Sequence, residues 1–190
     1  MTQPRVLMVI APDQFRDEEL FVPRTAFLEA GWSVDTVSTQ AGAALGMLGA
    51  TEVVQKTLSD VSNTSGLNTY QAVVVVGGMG SIGFLWENQQ LHQLLKQLAS
   101  QKAVISAICL SGVVLAKAGL LSGRKATVWE APESLEAYRQ SGVTYTAESV
   151  TVDDSASGTV ITANGPDAAA EFARAIELAV KNQFAQKSVC

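Results

Sequence analysis

The chain has 190 residues and a mass of 20.0 kDa, 47% of them apolar and 16% charged, a balance that excludes a disordered chain and fits one domain spanning residues 1–190. A net charge of −5 with no cluster of Lys or Arg excludes nucleic acid and anionic membranes as the main partners. The longest uncharged run, residues 61–86, is broken by Ser, Asn and Gly, so no spanning helix is expected.

Residues 5–11 (RVLMVIA) are apolar and β-branched, end at Pro12 and read as a buried strand. Six apolar residues before Pro12 are too few for a secretory core segment, so a cytoplasmic location is expected. Residues 17–30 open on acids, carry Leu20, Phe21, Phe27 and Leu28 at helical spacing and close at Gly31, which predicts a helix. Residues 32–39 alternate as a strand, and residues 41–50 read as a Gly-rich loop. Residues 62–68 (SNTSGLN) read as a second loop. Residues 72–76 (AVVVV) form the continuous apolar run of a parallel strand covered on both faces.

Residues 87–100 predict an amphipathic helix with Leu91, Leu94, Leu95 and Leu98 on one side. Its single histidine, His92, borders the apolar face and reads as structural or exposed. Residues 103–108 are the next buried strand and 110–121 a helix ending at Gly119. Then come short strands at 126–129, 143–147, 149–152 and 159–163, with a helix at 132–140. Asp153-Asp154 reads as part of a hairpin turn, not a calcium loop. Gly165-Pro166 introduces a long helix over 167–183, and residues 185–190 read as a mobile tail. The alternation of strands and helices demands a mostly parallel sheet between two helical layers.

Two features carry chemistry. Gly78-Met79-Gly80-Ser81-Ile82-Gly83 has the spacing of a dinucleotide fingerprint, but the next strand ends at Cys109 with no acid to hold a ribose. No cofactor is expected; the glycines instead let backbone approach something closely. Cys109 itself stands where an apolar strand turns into a helix, between small neighbours Ala107 and Ser111, with Gly112 next, as a nucleophile elbow requires. A thiol there sees free N–H groups and the positive end of a helix, which favours thiolate. Cys190, the last residue, reads as a surface thiol, and two cysteines make no disulfide framework. One histidine and no suitable ligand spacing give no metal site. Trp32, Trp86 and Trp129 are too scattered for a stacking surface.

Three segments together resemble the DJ-1/PfpI (ThiJ/PfpI) superfamily over residues 5 to about 182. They are Phe15-Arg-Asp-Glu-Glu19-Leu-Phe-Val-Pro23, Val73-Val-Val-Val-Gly77-Gly78, and Ala107-Ile-Cys109-Leu-Ser-Gly112 followed by residues 118–127. The resemblance implies a flavodoxin-like three-layer sandwich and a homodimer or larger assembly. It also implies Cys109 as nucleophile, Glu19 as its acid/base partner, and Gly78 and the N–H of Leu110 as oxyanion donors. Gly77 and Trp129 would border the pocket. A Glu19 buried against Cys109 should hold a proton and donate it to sulfur.

The chain departs from many relatives by having Leu110 after the cysteine where they carry His, and Trp129 where others place a His before Pro. Without a Cys-His-acid triad, peptidase chemistry lacks its general acid. Isonitrile-hydratase-like chemistry lacks the hydroxyl residue usual after that cysteine. The expected function is therefore a small-molecule enzyme acting on reactive carbonyl electrophiles, glyoxalase- or deglycase-like. The alternative is a non-catalytic redox sensor or stress-protective protein that acts through oxidation of Cys109.

Overall fold

The computed structural model describes residues 3–62, 66–155 and 157–187. The central sheet is built on five parallel strands: β1 (Arg5–Val9), β3 (Ser33–Ser38), β7 (Ala72–Val75), β8 (Val104–Ile108) and β12 (Gly158–Ala163). The short β6 (Lys56–Thr57) extends it at one edge and β11 (Val150–Ser155) at the other, in the order β11-β12-β8-β7-β1-β3-β6. Only β11 runs antiparallel, as the partner of β12. The inner strands β1, β7 and β8 are buried on both faces, which is why their sequences lack alternation.

Two helical layers cover the sheet. Helices α1 (Asp17–Glu29) and α7 (Ala169–Lys187) pack together over one face. The other layer holds α2 (Leu58–Ser62), α4 (Gln89–Ser100), α5 (Gly112–Lys117) and α6 (Pro132–Gln140) in contiguous packing. A five-residue helix, α3 (Gly80–Phe84), follows β7. This is the three-layer flavodoxin-like sandwich expected from the alternation of strands and helices.

Several local expectations change. Residues 41–50 are not simply a loop: β4 (Gly42–Gly46) pairs with β2 (Asp13–Phe15) and with β5 (Thr51–Val54) in a small separate sheet. Small residues that carry no strand preference hide it. The helix expected over 110–121 is shorter, a 3₁₀ turn at Cys109–Ser111 followed by α5. The strand expected at 126–129 shrinks to β9 (Lys125–Ala126), paired with β10 (Thr144–Tyr145). Asp153 and Asp154 lie in β11, not in the turn, and Asp153 accepts hydrogen bonds from Arg124 and from the Lys125 N–H. Helix α7 continues through Lys187. Cys190 and part of the expected 62–68 loop lie outside the described residues. Among the described residues no helix is long and apolar enough to cross a membrane.

The register places the site. β7 and β8 pair Val75 with Ala107, so Gly77 and Cys109 leave the sheet at the same level, two residues later. β1 pairs Val9 with Val75 and delivers the chain, through β2, to the first turn of α1 beside them.

Candidate active site

Cys109 has a backbone φ of 60°, in the left-handed region that non-glycine residues seldom adopt. The chain must reverse there from an extended β8 into the 3₁₀ turn, and that reversal projects the side chain away from the sheet edge. Ser111 fastens the turn by donating its hydroxyl to the Val76 carbonyl at 2.7 Å. Trp86 fastens it from the other side, its indole N–H donating to the Leu110 carbonyl at 2.9 Å. Cys109 is 7% exposed.

Glu19 reaches the same point from α1 and is completely buried. Its Oε2 accepts the Gly77 N–H at 3.0 Å. Its Oε1 has no N–H or O–H partner among the described residues, and the carboxyl is coupled to the sulfur of Cys109. Pro23, one turn on, has no N–H to give the Glu19 carbonyl, so the helical ladder is interrupted at the residue that carries the buried acid.

Gly77 is the floor under the pair. A Cβ there would lie 2.5 Å from Glu19 Oε2 and 2.7 Å from the Cys109 Cβ, so no side chain fits. Gly78, at φ 100°, packs against the backbone of Gln14 and Arg16 and turns its N–H toward the thiol. The N–H of Leu110 also points to the sulfur. Cys109, Glu19, Gly77, Gly78 and Leu110 are thus brought together.

Trp129 is not part of that cluster. Its N–H faces the Cys109 carbonyl at 3.4 Å, but its ring lies against Gly165 and is 48% exposed. There it walls a separate cavity of about 450 Å³ with Tyr145, Ser149 and Asn164. His92 is buried and bonds the Trp86 carbonyl through Nε2 at 2.9 Å; burial lowers its basicity.

The electrostatics depart from a simple poised thiolate. Burial pushes the Glu19 carboxyl up to about 8, against the hydrogen bonds from Cys109 and Gly77. Burial, followed by the charge of an ionised Glu19, pushes the Cys109 thiol up to about 12, against the N–H groups of Leu110 and Gly78. The expected help from a helix terminus is small because α5 has only six residues and begins after the 3₁₀ turn. While Glu19 keeps its proton, the second of those causes disappears and its O–H can serve the sulfur. The two groups therefore titrate as one unit, and the first proton leaves it at or below about 8.

Sequence reasoning missed three contributors. Asp17 is no solvated helix-start acid: its carboxylate accepts the N–H groups of Leu48 and Ala50, both at 2.9 Å, and ties the β4–β5 hairpin to α1. Trp86 serves the elbow as well as the core. Arg16 places its charge near both Glu19 and Cys109. The acidic run in the first turn of the helix hid the first, and nothing in the local pattern marks the other two. Among the described residues no three His, Cys, Asp or Glu side chains gather as a metal would need.

Comparison with known proteins places this geometry. The chain is 49% identical over 172 residues to an uncharacterized protein of Methanocaldococcus jannaschii, covering 90% of this chain and 80% of that one. It is 26% identical over 147 residues to a deglycase of Pyrococcus abyssi, covering 77% of this chain and 84% of the relative. The crystal structure of a ThiJ/PfpI domain protein from Brachyspira murdochii superposes with a TM-score of 0.84 at 26% identity, over 95% of this chain and 99% of that one. The model of the DJ-1/PfpI family matches residues 4–178, and the chain belongs to that family.

Proposed function

We propose that the protein is a cysteine-dependent enzyme acting on small reactive carbonyl compounds such as 2-oxoaldehydes, with Cys109 as nucleophile and Glu19 as acid and base. The observation that carries this reading is the fully buried Glu19 carboxyl, raised to about 8 and coupled to the thiol, with one oxygen left free of N–H or O–H partners. Such a group can give and take a proton near neutral pH without a histidine. The deglycase among the relatives agrees with it.

The steps balance without a cofactor. As Sγ adds to the aldehyde carbon the Glu19 carboxylate takes the thiol proton, the C=O pair moves onto oxygen, where the N–H groups of Gly78 and Leu110 are at hand as donors, and Glu19 passes that proton to it. Glu19, again a carboxylate, moves a proton from the carbon bearing sulfur to the neighbouring carbonyl carbon, while the hydroxyl proton on the first carbon passes to the oxygen on the second, which leaves a thioester. Water then hydrolyses the resulting thioester, which releases a 2-hydroxy acid and returns the thiol. Net, one water is added and no electron carrier is consumed.

In the same reading the protein works in the cytoplasm as a homodimer. The outward face of the β4–β5 hairpin supports self-association, since Leu45 and Val53 are apolar there and exposed. A second reading, oxidation of Cys109 in a redox-sensing role, is supported by the buried Glu19 carboxyl coupled to the thiol, whose proton would be donated to an oxygen added to sulfur. The two readings separate in one experiment: incubate with methylglyoxal and follow lactate by NMR. Many turnovers per chain, lost in both Cys109→Ser and Glu19→Gln, support the enzyme. No turnover, with Cys109 taking up two oxygens under mild peroxide, supports the sensor.

A further inference from the structure

Arg16 stands immediately before α1 and is bound twice to the neighbourhood of the cysteine. Its backbone N–H donates to the Gly77 carbonyl at 3.1 Å, while the Gly77 N–H serves Glu19. Its guanidinium is clamped by Glu18, Nε to Oε2 at 2.8 Å and Nη2 to Oε1 at 3.0 Å. Both side chains are only partly exposed. Nη1 has no partner among the described residues. Sequence order makes Glu18 the residue next to Glu19, so this ion pair rides on the same turn as the buried acid.

We propose that the Arg16–Glu18 ion pair, fastened to Gly77 beside the buried acid, biases the protonation of the Cys109–Glu19 unit, Arg16 as a positioning residue that favours the anion and Glu18 as the counter-charge that restrains it. The guanidinium charge reaches both Glu19 and Cys109, and Glu18 opposes it at Glu19. Of the other titratable groups nearby, Asp17 is held by the N–H groups of Leu48 and Ala50 and Asp13 is exposed on β2. His92 faces the Trp86 carbonyl, Lys117 pairs with Glu87 at 2.6 Å, and Glu130 lies near Tyr145. The segments Gly77–Gly78 and α3 contribute no ionisable side chain.

Because Arg16 and Glu18 carry opposite charges, removing either one must move the unit in opposite directions. A merely structural role would move it the same way in both. The readout is ultraviolet thiolate absorbance against pH, taken as the difference from Cys109→Ser, on the free protein with no substrate. It is therefore independent of whether the proposed turnover exists. At a pH below the midpoint, Arg16→Gln lowers the thiolate fraction about threefold to tenfold and Glu18→Gln raises it by a similar factor, the range for a unit charge several ångströms away near a surface. Arg16→Lys stays near the parent, and the double variant returns to within about twofold of it if the two charges offset one another. Shifts of the same sign in the two single variants, or no shift in either, overturn the proposal. Each single variant is read on its own, and Glu18→Gln preserves shape, so loss of folding in one still leaves the sign of the other as a test.

Discussion

Two regions lie at the carboxyl ends of the parallel strands, and they differ in kind. Around Cys109 the structure is closed: a buried acid, two N–H groups and a glycine floor converge on one sulfur. Around Trp129, beyond β12, it is open, a cavity of about 450 Å³ whose walls include Tyr145, Asn164 and Glu171. The first region has directed chemistry and little room; the second has room and no group aimed at a reacting atom. The reactive atom was therefore not placed by the roomier of the two regions. It was placed by the level at which β7 and β8 leave the sheet, and a centre so enclosed suits a small electrophile.

Predictions from that contrast run from large to small. Cys109→Ser should abolish methylglyoxal turnover, at least about a thousandfold, because a serine hydroxyl is far harder to ionise than a thiol. Glu19→Gln should lower turnover about a hundredfold or more while the fold persists, measured as kcat with lactate as product. The same variant carries a stability signature. Glu19 holds its proton more tightly folded than unfolded, so its contribution is fully present below pH 4.5 and is lost as pH rises toward 8. Wild-type stability should therefore fall across that window, by at most about 5 kcal/mol for a shift from 4.5 to about 8, and Glu19→Gln should remove the slope, read by denaturant melts at several pH values.

Gly77→Ala drives a methyl into Glu19 and Cys109 and should cost about 1–3 kcal/mol in unfolding free energy, with turnover lost alongside it. Trp129→Ala sits at the other end of the series. It should change the thiolate titration of Cys109 by less than about twofold, since its ring faces the open cavity and not the sulfur. A large effect there would merge the two regions into one site.

Much of the arrangement was legible in the sequence because the strongest signals are local. The apolar runs that became β1, β7 and β8 carry no ambiguity about burial, and small residues around Cys109 mark a tight turn. Glu19 was legible only through its family motif, since by composition it resembles Asp17 and Glu18. Those three consecutive acids have three fates: Asp17 caps hairpin amides, Glu18 clamps Arg16, and Glu19 is buried at the thiol. Only the tertiary approach of β4–β5 and Gly77 to α1 separates them, and no periodicity encodes that. The direction of the Cys109 shift was misread for a related reason. A helix terminus is visible in sequence, whereas the degree to which a thiol is enclosed is not.

The most direct test of the central claim, that Glu19 and Cys109 titrate as one unit, is the thiolate absorbance of Cys109 across pH in wild type and in Glu19→Gln. Wild type should form thiolate only above the ordinary thiol range, and Glu19→Gln should form it at lower pH, because the carboxylate charge that raises the thiol has been removed. Superimposable titrations in the two proteins would contradict it, since the carboxyl would then have no hold on the sulfur.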